Sequence, residues 1–427
     1  MYKRISLLVG VDGVIKSLGF LIIPVYLALM SKKEFGEFGY YASAIGFLVP
    51  MVILGLYIPQ IKEFSATKDS QKKKAIFSST ILTVSGFLVV FLVILSVTGL
   101  GQLLFGSFFG TQKHASGKYI AFVVLLYAST LNLILYAHAM SLQSGRALAW
   151  YNGFRFISAN VASLSCIYIG FGFADTSLDR LIGAAIGETC FCCIALYWYA
   201  RDYWTWKIDK EYLRGAIKVG LSITPGAVAT LIGSMSDRYF LGTYHGMDQL
   251  AEYNLAIQFI SPAQMIMTAT QTAWAPHVYS ISGNREAFNQ SLNFMWKLLI
   301  AMAGIMLGIF ILVILAKKFH VVPSNYTDVE WLVPLLSISA IASALVHFPT
   351  NLLIRLNRAA YVSAISWCGA LLTVVAGFLI TKPFGYTGAA LSAAVIQIVI
   401  LLITWRITNP LGFLMSKTPN NTIEGIK

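Results

Sequence analysis

An all-α protein that crosses a membrane about twelve times is the fold class that the sequence predicts. The 427 residues are 57% hydrophobic and only 11% charged, whereas charged residues make up about 25% of an ordinary soluble domain. The mean hydropathy is +0.71. At roughly 20 residues per crossing, the apolar residues suffice for about twelve spanning helices. A soluble enzyme is thereby excluded.

Apolar stretches long enough to span a bilayer follow one another along the whole chain. The first half contains six, at about 5–30, 40–60, 76–100, 119–142, 149–173 and 181–200. The second half contains six more, at about 219–235, 250–276, 294–316, 331–353, 360–381 and 387–405. The connections are short, and none has the size of a soluble domain.

The distribution of basic residues predicts how the chain is oriented in the membrane. The net charge of +13 comes from 31 Lys and Arg against 18 Asp and Glu. Cytoplasmic connections of membrane proteins retain Lys and Arg. With the N-terminus inside, 20 of these residues fall on inner segments and nine on outer ones. We therefore expect both termini in the cytoplasm, contact with membrane lipids, and no nucleic-acid partner.

The five cysteines lie in apolar stretches and lack the spacing of metal ligands. We expect them to be buried thiols. No metal site, cofactor motif or nucleophile motif is recognisable elsewhere, so we expect neither a cofactor nor an enzyme activity. The cysteines are Cys166, Cys190, Cys192, Cys193 and Cys368.

Short segments recur about half a chain apart. Glu37 and Glu252 stand near the starts of spans two and eight and are 215 residues apart, and two further pairs of segments recur at separations of 212 and 205 residues. We predict two six-helix lobes, 1–212 and 213–427, in the same orientation, as in transporters with parallel repeats. Such lobes enclose a substrate path between them. Chance similarity is the alternative, because each match is weak alone.

Several local motifs carry a resemblance to a known family over nearly the whole chain. They are Lys33-Glu34-Phe35-Gly36-Glu37-Phe38-Gly39-Tyr40, Ser236-Asp237-Arg238-Tyr239-Phe240-Leu241-Gly242, Ala251-Glu252-Tyr253, Pro276 and Phe384-Gly385-Tyr386-Thr387-Gly388-Ala389-Ala390. With them the sequence resembles the Wzx-type O-antigen flippases, the polysaccharide flippases of the multidrug/oligosaccharidyl-lipid/polysaccharide exporter superfamily.

The resemblance implies a two-lobed transporter in the bacterial cytoplasmic membrane. Its substrate would be an undecaprenyl-pyrophosphate-linked oligosaccharide, the repeat unit of O-antigen or a related polysaccharide, moved from the cytoplasmic to the outer leaflet. An antiporter of this kind would work by alternating access, coupled to protons or sodium ions. Polysaccharide polymerase machinery is then a candidate partner.

Charged residues inside spans are costly and usually face a water-filled cavity or a partner. Asp12 and Lys16 share one face of span one, four residues apart. Lys16 could bind the pyrophosphate while Asp12 sets its charge or accepts a coupling proton. The alternative is a mutual ion pair that only holds helices together.

Arg155, inside span five, could bind a diphosphate through two parallel hydrogen bonds. Its alternative is to reach the lipid headgroups with its long side chain. Arg238 and Asp237 stand at the outer end of span seven, within a motif that recurs in the resembling family. We include Arg238 as a substrate ligand and Asp237 as an ion-coupling residue, although an exposed pair would contribute little.

Glu188 is the sharpest ion-coupling candidate, because no basic residue is near it in span six. Desolvation of an unpaired carboxylate favours its neutral form, which would allow reversible proton uptake. A protonated Glu188 hydrogen-bonded across helices is the alternative. Gly183 and Gly187 on the same span would permit a close approach of helices.

Two other functions remain open from sequence. A drug or metabolite exporter of the same superfamily is the nearest, although cationic drugs would favour a net acidic lumen. A membrane glycan polymerase is the other, although it would need a sizeable outward loop with catalytic residues. The outer connections at about 101–118 and 317–330 are short and chemically plain.

Overall fold

A computed structural model describes Gly19 and residues 21–97, 115–142, 144–170, 175–281, 283–356 and 358–408. All regular secondary structure in these residues is helical, which confirms the predicted all-α class. Asp12 and Lys16 lie outside the described residues.

In the first half of the chain, the described residues form a helical stretch over 21–29 and six further helices. These are α1 (Lys32–Ile53), α2 (Tyr57–Ala66), α3 (Ser70–Val97), α4 (Ala115–Ser141), α5 (Gly145–Ile169) and α6 (Thr176–Tyr203). The second half contains α7 (Lys210–Ser280), α8 (Asn284–Lys318), α9 (Val329–Arg355), α10 (Ala359–Ala376), a π-helical turn (Gly377–Thr381) and α11 (Lys382–Thr408).

Eight of the described helices are long and apolar enough to cross a membrane. The 71 residues of α7 would extend roughly 105 Å if straight, far beyond the hydrocarbon thickness of about 30 Å. The helix therefore breaks, at Gly246 with φ 81°, into α7a (210–245) and α7b (247–280). Gly385, with φ 58°, breaks α11 in the same way. Both values lie in the region that glycine adopts readily.

These breaks fall between predicted spans seven and eight and between predicted spans eleven and twelve. The count of twelve crossings and the division into two lobes stay predictions. We call the described residues up to Tyr203 lobe 1 and those from Lys210 onward lobe 2. The expected boundary at 212/213 falls in the first turn of α7, because α7 already begins at Lys210.

The connection between the lobes is bound to α3 of lobe 1. Ser78 Oγ accepts a hydrogen bond from the Thr205 amide at 2.8 Å, and Ser79 Oγ accepts one from the Asp209 amide at 2.9 Å. Asp209 in turn caps α7 by accepting from the Tyr212 amide at 2.9 Å. The start of lobe 2 is thus held against lobe 1.

Connections that the charge distribution places on one side of the membrane contact one another. Lys32 reaches the Asn325 carbonyl at 2.8 Å, Lys118 reaches Asp175 at 2.8 Å, and Tyr386 donates to Asp328. We call this part of the bundle the Lys32 end. The contacts agree with the predicted alternation of crossings.

The outward faces of the helices are covered by exposed apolar side chains, as expected of surfaces in contact with lipid. The cysteines divide between the interior and these faces. Cys166 and Cys192 are buried, but Cys190, Cys193 and Cys368 are exposed. The expectation of five buried thiols is wrong for these three, because an apolar helix that faces lipid on one side exposes residues without placing them in water.

Candidate functional site

Helix α1 of lobe 1 packs directly against α7b of lobe 2 near the Lys32 end. A Cβ atom on Gly36 would lie 2.0 Å from the Met247 carbonyl oxygen, and one on Gly39 would lie 2.4 Å from Asn254 Nδ2. Both glycines belong to the motif at 33–40. Their missing side chains are what allows the two lobes to approach so closely.

A cavity of about 370 Å³ lies between the lobes, next to this contact. Its lobe 1 wall includes Phe38, Ser43 and Arg180, and its lobe 2 wall includes Arg238 and Asn254. Two guanidinium groups from opposite lobes therefore border one cavity. Such an arrangement suits an anionic ligand better than a cationic one.

Arg180 is held between aromatic rings. Its guanidinium carbon lies 3.5 Å from the centre of the Tyr26 ring and 3.8 Å from that of Phe38. Nη1 contacts the Met30 sulfur at 3.5 Å, and Nε is buried with no hydrogen-bond partner among the described residues. Cation–π contacts hold the group in place without neutralising its charge. The positive charge of Arg180 thus remains available at the cavity wall.

Arg238 and its neighbour Asp237 have different partners. Arg238 Nε donates to Asn254 Oδ1 at 3.2 Å, which fixes the guanidinium beside α7b. Asp237 is buried and accepts a hydrogen bond from the Tyr253 hydroxyl at 2.9 Å. Its Oδ1 has no hydrogen-bond partner in the described part of the chain. The predicted motif at 236–242 therefore supplies a cavity cation and a buried carboxylate.

An ion pair between the lobes closes the cavity toward the Lys32 end. Lys32 of α1 binds Glu252 of α7b, whose side chain is 2% exposed. Lys32 also donates to the Asn325 carbonyl at 2.8 Å, and the other oxygen of Glu252 accepts from the Asp328 amide at 3.0 Å. Three segments from two lobes, α1, α7b and the connection between α8 and α9, meet at this contact.

Lobe 1 contains the matching arrangement at the equivalent glutamate, but within itself. Glu37 accepts from Lys118 at 2.9 Å and from the Ser177 hydroxyl at 2.8 Å. Lys118 also binds Asp175, at 2.8 Å. In each lobe, the glutamate near the start of the second predicted span is thus bonded to a residue just before the fourth: Glu37 to Lys118, and Glu252 to Asp328. Glu37 takes its cation from its own lobe, whereas Glu252 takes one from the other lobe.

Asp175 lies in the connection before α6 and caps that helix by accepting from the amides of Ser177 and Leu178. Partial burial favours the neutral form of its carboxyl group, but hydrogen bonds from Lys118 and Ser177 outweigh burial and lower the pKa of Asp175 below its usual range. Asp175 therefore binds Lys118 as a carboxylate.

The opposite end of α1 also contacts α7. A Cβ atom on Gly220 of α7a would lie 2.2 Å from the Leu54 carbonyl oxygen. Leu54 and Gly55 adopt left-handed conformations, with φ 51° and 68°, where α1 ends and α2 begins. The cavity between the lobes is therefore bordered by close α1–α7 contacts at both ends.

Glu188 is paired with Arg155. The Arg155 Nε atom donates to both carboxylate oxygens, at 3.0 and 2.9 Å, and Asn132 donates to Glu188 as well. The expectation of an unpaired Glu188 is wrong, because its partner lies 33 residues earlier, on the adjacent helix α5. The same ion pair offsets the cost of placing the Arg155 charge at membrane depth, so Arg155 does not need to reach the lipid headgroups.

The close helix approach expected at Gly183 and Gly187 is confirmed. A Cβ atom on either residue would lie 2.4 Å from the α5 backbone, at Ser163 Cα and Ser158 O respectively. This packing brings α6 near enough for Glu188 to reach Arg155. The pair thus belongs to the interior of lobe 1, away from the cavity between the lobes.

Sequence reasoning missed Arg180, Lys32 and Asn254 as site residues. Arg180 and Lys32 are two of the nine basic residues on the predicted outer segments, and the sequence does not show that Arg180 packs against aromatic rings or that Lys32 binds the other lobe. Two of these residues stand beside family motifs, which could have marked them as site residues. Lys32 precedes the 33–40 segment, and Asn254 follows Glu252 and Tyr253.

Solved structures share this fold. The lipid II flippase MurJ in an inward closed conformation aligns with a TM-score of 0.71 at 14% identity, covering 94% of this chain and 89% of that one. A multidrug resistance MATE family transporter of the MOP superfamily aligns in an inward-facing conformation with a TM-score of 0.66 at 12% identity, covering 95% and 100%. An outward-facing MATE transporter aligns at 0.61 with 13% identity, covering 97% and 96%.

A direct comparison with curated protein sequences found no match. The family model described as "Polysaccharide biosynthesis protein" matches residues 1–282, well over half of the chain. The fold found in MOP superfamily transporters agrees with the resemblance carried by the motifs. The chain belongs to the polysaccharide biosynthesis protein family.

Proposed function

We propose that this membrane protein is a flippase that moves a polyprenyl-pyrophosphate-linked oligosaccharide from the cytoplasmic to the outer leaflet of a bacterial cytoplasmic membrane. The glycan would be O-antigen or a related polysaccharide repeat unit. Family and fold support a lipid-linked flippase or transporter in general. The observation that carries the finer proposal is the pair Arg180 and Arg238, on opposite walls of the cavity between the lobes.

A pyrophosphate linker is the part of such a substrate that two arginines recognise best. Guanidinium groups bind phosphate oxygens through paired hydrogen bonds, and they keep their charge when buried. Because Arg180 belongs to lobe 1 and Arg238 to lobe 2, a pyrophosphate between them would touch both lobes at once. Binding would therefore be sensitive to the relative position of the lobes. A cationic drug would be repelled from the same cavity.

Transport requires the lobes to rock about this cavity, and the Lys32–Glu252 pair is the contact that must break when the Lys32 end opens. In the described state this end is closed. Pyrophosphate would then enter from the opposite end, the predicted cytoplasmic side, when the contact between Leu54 and Gly220 separates. Opening of the Lys32 end would release it outside, in an alternating-access cycle.

For ion coupling we propose Asp237, with protons or sodium ions as the coupling ion. Glu188 already binds Arg155, so it is less suited to bind a cation. Asp237 is buried, its Oδ1 has no partner among the described residues, and it adjoins Arg238 in the chain. A cation bound there would alter the field at the pyrophosphate. Asp12 and Lys16 in span one remain candidates for coupling and substrate binding.

Reconstitution tests the proposal. The full-length protein in vesicles should accelerate leaflet exchange of a fluorescent polyprenyl-pyrophosphate oligosaccharide. Arg180→Gln and Arg238→Gln should each slow exchange by about tenfold or more, because each removes a charged hydrogen-bond donor from the headgroup. Arg201→Gln, which changes an exposed arginine at the end of α6, is the matched control and should exchange at the wild-type rate.

The outcomes separate the candidate functions. Wild-type exchange rates in both cavity variants would contradict the assignment of the headgroup site. Exchange of a cationic dye, but not of the pyrophosphate carrier, would identify a drug exporter. Elongation of the glycan without exchange would identify a polymerase.

A further inference from the structure

A second cavity, of about 550 Å³, lies inside lobe 2, between α7a, α7b, α9, α10 and α11. Its volume falls within the range of about 300–1,000 Å³ that is typical of ligand sites. Arg238 borders this cavity as well as the one between the lobes. The two spaces therefore meet at Arg238 and Ile257, which belong to the walls of both.

The two ends of the lobe 2 cavity differ. Asp237 and Tyr253 form its buried end, near the Lys32 end of the bundle, and Asp237 Oδ1 there has no partner among the described residues. Gln264 and His347 line the other end and are exposed. Gln264 lies about three helical turns beyond Tyr253 on α7b, and His347 lies about five turns beyond the start of α9, so both are further from the Lys32 end. The cavity thus opens toward the predicted cytoplasmic side.

Hydroxyl groups line the cavity at helical spacing. Ser339, Ser343 and Thr350 share one face of α9, while Ser366 and Thr373 share one face of α10. The hydroxyls of Thr350, Ser366 and Thr373 donate to carbonyls of their own helices, at 2.8, 3.1 and 2.9 Å. Each oxygen keeps lone pairs that can accept from a ligand.

This lining discriminates between classes of ligand. A calcium-type cation needs about six to eight oxygens at roughly 2.3–2.6 Å. Among the described lining residues Asp237 is the one carboxylate, and 550 Å³ is far too wide for such a shell. An organic cation would face Arg238, and an apolar drug would leave the hydroxyls unpaired. A neutral, hydroxyl-rich ligand satisfies the acceptors on α9 and α10 and can receive donors from Gln264 and Gln397.

We propose that the lobe 2 cavity binds neutral sugar residues of the transported glycan. This inference rests on the proposed flippase function, and it assigns the two parts of one substrate to two joined spaces. The pyrophosphate lies between Arg180 and Arg238, and the sugars next to it extend past Arg238 into lobe 2. A sugar hydroxyl donates to Asp237 Oδ1, where it competes with the coupling cation.

Binding to the full-length protein in lipid nanodiscs tests the inference. One probe is the free oligosaccharide released by mild acid from the polyprenyl carrier of the native cell, and the other is inorganic pyrophosphate. Ser366→Leu fills the cavity, whereas Ala364→Leu adds the same side chain on the exposed face of α10. Saturation-transfer NMR measures both dissociation constants.

We expect the wild type and Ala364→Leu to bind the oligosaccharide equally well. Ser366→Leu should weaken oligosaccharide binding by at least about tenfold, because it fills the space that the hydroxyl lined. Pyrophosphate binding should stay unchanged in all three proteins, which also shows that the variants are folded. Ser343→Leu, on the facing helix α9, should repeat the result, and Ser366→Thr, which keeps the hydroxyl, should retain binding.

Wild-type affinity for the oligosaccharide in both leucine variants overturns the inference. Binding of pyrophosphate without any binding of the oligosaccharide to the wild type also overturns it, and leaves the proposed function standing. Oligosaccharide binding that Ser366→Leu weakens, in a protein that neither binds pyrophosphate nor moves the lipid carrier, supports the sugar site and rejects the flippase.

Discussion

Lys32 of lobe 1 and Glu252 of lobe 2 form an ion pair across the interface, whereas Glu37, at the equivalent position of lobe 1, binds Lys118 of its own lobe. Separation of the lobes at this end leaves the Glu37 pair intact and deprives Glu252 of its cation. A nearly buried carboxylate that has lost its counter-charge is costly, even though Glu252 keeps the Asp328 amide. The pair therefore favours the closed Lys32 end.

Glu252→Gln should open the Lys32 end more often, because it weakens the hold on Lys32 by about 1 kcal/mol, or about fivefold in the population of the open state. The opening can be followed with Ser43→Cys, on the cavity wall, in a protein whose five native cysteines have been replaced. Its labelling by a membrane-impermeant maleimide from outside should accelerate accordingly. The charge swap Lys32→Glu with Glu252→Lys should return the rate toward that of the parent protein.

Glu330→Gln is the control for this measurement. It removes the Lys317–Glu330 pair, at 2.8 Å, which lies entirely within lobe 2. Its labelling rate should match that of the parent protein. Equal acceleration in both variants would mean that the Lys32 end responds to any lost charge and would refute a specific closing role for Glu252.

Gly39→Ala should slow lipid exchange by about tenfold. Its Cβ atom would lie 2.4 Å from Asn254 Nδ2, so Asn254 must move and release Arg238 Nε. Gly86→Ala, on α3, is the control, since a Cβ atom there meets nothing within 4 Å. That variant should exchange normally and be as stable as the parent or up to about 1 kcal/mol more stable. Normal exchange by Gly39→Ala would show that Asn254 does not position Arg238.

Asp237→Asn should abolish the dependence of transport on an ion gradient, while Glu188→Gln should preserve it. The second change leaves Arg155 without its carboxylate partner and should lower stability by about 1–3 kcal/mol. Transport in vesicles with and without proton and sodium gradients, together with thermal unfolding, distinguishes the two effects. Loss of gradient dependence in Glu188→Gln alone would reassign coupling to lobe 1.

Acid should weaken lobe 1 through Asp175. Because its pKa is lower in the folded protein, the carboxylate contributes stability at pH values above the unfolded pKa of about 3.9, and this contribution is lost as the pH falls toward the folded value. Between pH 7 and pH 3, the melting temperature should fall less for Asp175→Asn than for the wild type. Asp202→Asn, at an exposed position, is the control, and its melting temperature should fall as much as that of the wild type. An unchanged acid response in Asp175→Asn would contradict the contribution of this carboxylate.

Local sequence was informative wherever the physical requirement is itself local. Runs of apolar residues predicted the helices because a bilayer demands that the backbone satisfy its own hydrogen bonds. Gly183 and Gly187 predicted a close approach because small residues at a spacing of four leave one helix face open. The same reasoning could not find the partner of Glu188, since Arg155 lies on another helix and their register depends on packing.

The sequence by itself determined an all-α membrane protein with an asymmetric distribution of basic residues, the motifs of its family and a short set of costly charges. Tertiary structure alone decided which of those charges face a cavity. It placed Arg180 between two rings, joined Lys32 to a glutamate 220 residues away, and opened Arg238 to two spaces. The reason is that desolvation and ion pairing depend on distances through space, which the packing of separate helices sets.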